Sequence, residues 1–332
     1  MRHIKYSLFL IIFAFTSCAP NNTNNNYTRY SFFSFDVFDT FTSILGYTQN
    51  QEDFNYFSGV MYAELQRLHM LFDKFNEYPN VNNIATINKN AGIKPVVVDI
   101  EIINMINEGI AAYHLTNGII NIAIGPVTNI WRSYINAGEE VLPGYEALKN
   151  ASVYTNISGI IVDEINQTVF LNNENMALDV GSIAKGFAIE HVAQKAQAIG
   201  LTSFSLSMGG DVRLGGAPKG ERPLWNVGVL NPHEQGDFVD VISGADIAIF
   251  SSGNYMRYYR VDGVKMHHII DPRTLKPSTT AASVTVKHPC GIMAENLSLA
   301  AFILDIDQGK ELLERFDASA LWVLECGTVI SH

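Results

Sequence analysis

Asp53-FNYFSGVMYAELQRLHMLFDK-Phe75 decides the first element of the fold. Its apolar positions Phe54, Phe57, Met61, Leu65, Leu68, Phe72 and Phe75 step by 3, 4, 4, 3, 4 and 3, the one-face period of an amphipathic helix. Moving outward, a second helix is predicted from Asp99, a candidate N-cap, through Ile103, Ile106, Ile110 and Tyr113 to a stop near Gly118. A third starts near Gly181, carries Ile183, Phe187, Val192, Ala196 and Ile199, and ends at Gly200. A fourth covers 292–304 and a short fifth 307–315. Strands are predicted at 158–163, 168–171, 203–207, 226–230, 238–243, 247–251, 283–287 and 320–324. Ser283-Val284-Thr285-Val286-Lys287 alternates as a half-buried strand should. Helices are thus expected to dominate the first third and strands the middle, with mixed or antiparallel sheets. That segregation points to an α+β fold.

The 332 residues are 47% apolar and 17% charged, which excludes a disordered, collagenous or coiled-coil chain. Twenty-two basic against 33 acidic residues leave a net charge of −11. Nucleic acid is therefore not an expected partner, because neutralising phosphates takes an excess of Lys and Arg. No internal repeat or linker interrupts the chain after about residue 30, so 30–332 is expected to form one domain.

The N-terminus has the layout of an export signal. Met1-Arg2-His3-Ile4-Lys5 is basic, Tyr6 to Phe15 is apolar, and Thr16-Ser17-Cys18 follows. An apolar run of that length is too short to span a bilayer and fits a signal-peptide core, residues 1–17. Cys18 fits a lipidated mature N-terminus, and residues 18–29, with Asn21-Asn22-Thr23-Asn24-Asn25-Asn26, fit a polar tether. The alternative is a plain signal peptide with an incidental Cys. Losing residues 1–17 removes Arg2 and Lys5 and takes the charge to −13. The expected location is membrane-anchored and extracytoplasmic, on the outer face of a cell membrane or in a periplasm. Cys290 and Cys326 are expected to be free thiols. CxxC and HExxH zinc patterns do not occur.

Four stretches offer chemistry. Leu178-Asp179-Val180-Gly181-Ser182-Ile183-Ala184-Lys185-Gly186 opens a helix, whose free N–H groups and dipole suit a phosphate or hard metal; an ordinary capped helix is the alternative. Ser207-Met208-Gly209-Gly210-Asp211 follows a strand, and its glycines fit either a close backbone approach or a hairpin turn. His267-His268 should point to opposite strand faces, leaving one of them free to act as a base or ligand. Ala294-Glu295-Asn296-Leu297-Ser298-Leu299 places one carboxylate on a helix face.

Taken in order, these stretches resemble the ApbE family of FAD:protein FMN transferases. The resemblance covers most of 36–330 and includes Phe38-Asp39-Thr40, Asn121-Ile122-Ala123-Ile124-Gly125-Pro126-Val127 with Trp131, and the D-x-G-x-x-A-K-G pattern at 179–186. It continues through Met208-Gly209-Gly210-Asp211, Ser252-Gly253-Asn254-Tyr255-Met256-Arg257-Tyr258 and His268-Ile269-Ile270-Asp271-Pro272-Arg273-Thr274. It implies an ApbE-like fold and transfer of FMN from FAD to a Thr or Ser of an extracytoplasmic acceptor flavoprotein. AMP is released and Mg²⁺ neutralises charge.

The resemblance also assigns roles. Phe38, Phe75, Asn121, Asp179, Lys185 and Ile270 fall at flavin- or FAD-contacting positions, although core packing alone also accounts for the two Phe. His268 falls where a base would deprotonate the acceptor hydroxyl, with His267 as a structural neighbour. Ser182, Glu295 and Ser298 are the candidate Mg²⁺ donors. Here the chain departs from the family pattern A-D-x-L-[SA]-T: Glu295 stands for Asp and Leu299 for Thr. Glu keeps the charge on a longer arm, Leu299 offers no donor, and Ser298 lies about 100° around the helix from it. Two alternatives follow: hydrolysis of FAD to FMN and AMP, or a catalytically impaired flavin-binding lipoprotein.

Overall fold

The computed structural model describes residues 26–332, so the leader, Cys18 and the tether up to residue 25 lie outside the described residues. The described residues open on two strands, β1 (Thr28–Val37) and β2 (Thr40–Thr48), paired as an antiparallel hairpin. Then come α1 (Gln51–Phe72), α2 (Ile84–Lys89), β3 (Val96–Val97), α3 (Ile100–Leu115), α4 (Gly125–Ala137) and α5 (Tyr145–Ser152). β4 (Ile160–Asp163) and β5 (Thr168–Leu171) lead to α6 (Ala184–Ala198). β6 (Phe204–Met208), β7 (Asp211–Gly215), β8 (Trp225–Leu230), β9 (Phe238–Gly244) and β10 (Ala248–Gly253) follow. β11 (Tyr258–Val261), β12 (Val264–His267), β13 (Ile270–Asp271), β14 (Lys276–Pro277) and β15 (Ser283–His288) precede α7 (Gly291–Ile303), α8 (Ile306–Glu314), β16 (Ser319–Val323) and β17 (Val329–Ser331).

Eight strands form one sheet in the order β1-β2-β6-β7-β10-β15-β16-β17, and every neighbouring pair is antiparallel. Alternation sends Ile44, Leu206, Phe250, Val284 and Trp322 to one face, where they join Leu65 and Leu68 of α1, Val192 of α6 and Leu297 of α7 in the main core. The other face is covered by the β8–β9 hairpin, with Trp225 over Leu214 and Ile249, and Val229 over Leu321 and Val323. The fold is α+β with a large antiparallel sheet.

Helix is not concentrated in the first third. Among the described residues α4 to α8 lie beyond it, and the first element is the strand β1. One layer of helices has to cover the apolar face of a sheet assembled from both ends of the chain, so α1 and α7 share it. The first helix also stops three residues earlier than its periodicity suggests. Asp73 takes an extended conformation, and its Oδ1 accepts from the Phe75 amide at 2.6 Å and the Asn76 amide at 3.1 Å. Lys74 and Phe75 are thereby turned out of the helix, and Phe75 is 60% exposed. Among the described residues no helix is long and apolar enough to cross a membrane.

Candidate functional site

The β1–β2 turn, the β6–β7 turn, the end of β10 and the N-terminus of α6 meet at one end of the sheet. Gly209 and Gly210 have φ of +62° and +99°, and Met208 pairs directly with Asp211. They form a two-residue hairpin turn of the kind that glycines favour. The Gly209 amide donates to Phe41 O at 2.9 Å, and a Cβ there would fall 2.5 Å from Thr40 Oγ1. This close approach sets Asp211 against α6.

Asp211 is buried, takes the Ser251 amide on Oδ1 at 2.9 Å, and forms an ion pair with Lys185 through Oδ2. Burial opposes the Lys185 charge, but Asp211 and Glu295 outweigh it and hold the ammonium above its usual range. Glu295 reaches the same point from α7. Its Oε2 accepts from the Gly186 amide at 2.7 Å, supplying the N-terminal cap that Ile183 cannot give α6. Burial, reinforced by Asp211, pushes the Glu295 carboxyl up to about 8 against the pull of Lys185 and the Gly186 N–H. The cap is reciprocated: Glu190 Oε2 on α6 accepts from the Gly291 amide at 2.7 Å, where Cys290 provides no side-chain cap to α7.

Ser182 Oγ, just before α6, is buried without a hydrogen-bond partner. Ser298 Oγ donates to Glu295 O at 3.0 Å and lies 3.0 Å from Ser252 Oγ. Leu299 packs against the main core.

Asp179 anchors the neighbouring half. Lys74 Nζ lies 2.5 Å from its Oδ2, Thr128 Oγ1 donates to it at 2.6 Å, and Arg132 stands 3.7 Å away. Burial works against the charge, yet Lys74, Thr128 and Arg132 together bring the carboxyl down to about 2. Arg132 lies 4.3 Å and Lys74 5.3 Å from the centroid of the exposed Phe75 ring, a cation–π arrangement. Arg132 Nη1 is buried and unpartnered. Phe38, at φ +53°, packs on His69 and Phe72 at the same end of α1. Arg257 links the halves, lying within electrostatic range of Arg132, Lys185 and His268.

The two histidines diverge, but not by alternation along one strand: β12 ends at His267, and His268 follows it in a bend. His267 is buried and bonds Ser278 O at 2.7 Å. His268 is exposed, although protein atoms crowd its ring, with Nδ1 3.3 Å from Arg257 O. A carbonyl only accepts, so Nδ1 carries the proton and Nε2 the lone pair. Burial, then Arg257, lowers the ring to about 4, leaving it neutral at pH 7. Ile270 is buried beside Val127, Trp131 and Tyr259. Asn121 spends its side chain on the backbone, accepting from Ala123 N at 2.8 Å and donating to Thr155 O at 2.9 Å, and so braces the loop that enters α4.

The structure thus brings together Asp179, Lys185, Ser182, Glu295, Ser298 and His268, and adds Lys74, Thr128, Arg132, Asp211 and Arg257 as functional candidates. One signal for two of these was present: Gly125-Pro126 is a helix start, and Thr128 and Arg132 then share a face at i, i+4.

The model of the ApbE family matches residues 38–322. A Treponema pallidum protein named FAD:protein FMN transferase is 32% identical over 248 residues, 70% of this chain and 68% of that protein. A Vibrio cholerae protein of the same name is 26% identical over 271 residues, 81% and 80% of the two chains. The crystal structure of the ApbE protein from Thermotoga maritima superposes with a TM-score of 0.81 at 27% identity, covering 92% of this chain and 97% of that one. The Vibrio cholerae flavin transferase ApbE structure shares the fold with a TM-score of 0.78 at 21% identity, covering 92% and 97%.

Proposed function

The chain belongs to the ApbE family, and from that membership we propose that it transfers FMN from FAD to a Thr or Ser hydroxyl of an acceptor flavoprotein, releasing AMP. The observation that carries this reading is the Lys185–Asp211 pair set against buried Glu295 beside the open, neutral His268. Exposed Phe75 and the Lys74–Asp179–Arg132 group suit a flavin ring and the phosphates attached to it. The donors present also fit Mg²⁺: Glu295 and the unpartnered Ser182 hydroxyl are hard oxygens, whereas Ser298 is already engaged and Leu299 gives nothing. Held by Glu295 and Ser182, Mg²⁺ would supply charge neutralisation at the pyrophosphate.

His268 Nε2 takes the acceptor's hydroxyl proton as that oxygen bonds to the FMN phosphorus and the phosphorus–oxygen bond to AMP breaks. Lys185 and Arg257 hold the phosphate charge. The leader at 1–17 and Cys18 support an extracytoplasmic protein anchored to the membrane by lipid. Solvent access to His268 favours one second reading, FAD hydrolysis with water in place of the acceptor.

The test is incubation of the purified protein with FAD, Mg²⁺ and a flavinylatable acceptor domain. Equal amounts of AMP and covalent flavin support transfer. AMP without labelled acceptor marks a hydrolase, and bound FAD without AMP marks a flavin-binding lipoprotein.

A further inference from the structure

We propose that Glu190 is a positioning residue for Glu295, acting through the N-terminus of α7. The inference rests on Glu295 being a divalent-cation donor. Glu190 is 4% exposed, and its Oε2 does two things at once: it accepts from the Gly291 amide at 2.7 Å and from Arg213 Nε at 3.0 Å. Arg213 is buried too, and its Nη1 donates to Asp246 at 3.0 Å in the turn before β10. The first turn of α7 is therefore tied to α6 and to the sheet through one carboxylate.

Glu295 sits one helical turn beyond Gly291 and reaches back to the Gly186 amide, four residues before Glu190 on α6. The two helices hold each other by a matched pair of Gly–Glu contacts. Glycine at both crossing points is what lets them approach: a Cβ on Gly186 would lie 2.6 Å from Glu295 Oε2, and one on Gly291 3.1 Å from Glu190 Oε2. Releasing the Glu190 contact frees the start of α7 to tilt, and a tilt there moves the Glu295 carboxylate relative to Ser182, Lys185 and Asp211. Outer contacts of this kind orient metal donors that they never touch.

The experiment is titration of the purified protein with Mn²⁺, reading free Mn²⁺ by its electron paramagnetic resonance signal. Melting temperature and metal-free FAD binding serve as controls. Glu190→Ala is expected to raise the Mn²⁺ dissociation constant about tenfold or more while FAD binding without metal stays near wild type. Glu190→Gln keeps a carbonyl oxygen for the Gly291 amide and is expected to restore most of the affinity. The double variant Glu190→Met/Arg213→Met covers the case in which Glu190→Ala does not fold: it replaces the buried ion pair by apolar side chains of similar volume and removes the acceptor of the Gly291 amide. It is expected to weaken Mn²⁺ binding similarly. Wild-type Mn²⁺ affinity in a folded Glu190→Ala or Glu190→Met/Arg213→Met protein overturns the inference. A wild-type protein that binds no Mn²⁺ strikes instead at the cation reading of Glu295, and takes this inference down with it.

Discussion

Glu295 Oε2 and the Gly186 amide lie 2.7 Å apart across 109 residues of sequence, so a single carboxylate both caps α6 and stands in the candidate site. Its surroundings leave no room for a side chain at position 186, where an added Cβ would also meet Gly291 O at 3.0 Å.

Gly186→Ala is therefore expected to force the helices apart and to destabilise the fold by about 1–3 kcal/mol. The midpoint of urea unfolding reads this directly. An unchanged midpoint would mean that the crossing has slack the geometry does not suggest.

Glu295 also shapes stability against pH. Its folded pKa of about 8 lies above the ordinary carboxylate value. The unfolded chain therefore ionises first, and stability is lost progressively as pH rises from about 4.5 to about 8. In EDTA, Glu295→Gln, which can still accept from Gly186, is expected to match wild type in melting temperature at pH 4.5 and to exceed it at pH 8. AMP release by the same variant is expected to fall at least about a hundredfold.

His268 is neutral above about pH 4. His268→Ala is expected to lower flavin transfer by about 10²–10⁴-fold with little change in FAD affinity. In wild type the acid limb of the rate profile should lie near pH 4. An acid limb near 6.5 would show that burial and Arg257 do not depress the ring.

Arg132 offers a buried nitrogen with no partner and lies against the exposed face of Phe75. Arg132→Ala is expected to weaken FAD binding about tenfold, seen as a rise in KM larger than any fall in kcat. Flavin fluorescence quenching gives the affinity independently.

Far from the site, Glu64 joins α1 to α6. It accepts from Arg67 at 2.7 Å and Lys195 at 2.7 Å, and His191 lies 3.1 Å away. Burial opposes its charge, but Arg67 and Lys195 bring it down to about 2. Its contribution is complete above about pH 4.5 and lost as pH falls toward 2. Glu64→Gln is expected to cost about 1–2 kcal/mol at pH 7 and nothing near pH 2, measured by denaturant unfolding at the two values.

Much of this was legible beforehand where one face of an element is apolar. Ser283–His288 alternates and is a strand, although Ser283 to Val286 are buried on both faces and not half-buried as the alternation suggests; Ile100–Leu115 begins at its Asp99 cap. The β1–β2 hairpin was not legible, because Phe33, Phe35 and Phe41 lie exposed on its outer face while Phe32 and Ile44 point to α1 and the core. With both faces apolar, the period of two disappears. Phe75 misled in the opposite way: it kept the helical spacing after Asp73 had already ended the helix. His267 and His268 do face different surroundings, but His268 lies past the end of β12, so the alternation of a strand does not account for it.

By itself the sequence determined the α+β character, the positions of α1, α3, α6, α7 and α8 and of about half the strands, and the order of motifs that marks the ApbE family, because apolar periodicity and turn residues act over a few neighbours; α2, α4, α5 and the β1–β2 hairpin went unread. Only the tertiary structure decided that Lys185 meets Asp211, that Asp179 is held by Lys74 and Arg132, and that Glu190 and Glu295 cap each other's helices. Those pairings join segments far apart in the chain. Their energetics depend on how deeply the stacked layers bury each charge, a quantity that no local pattern encodes.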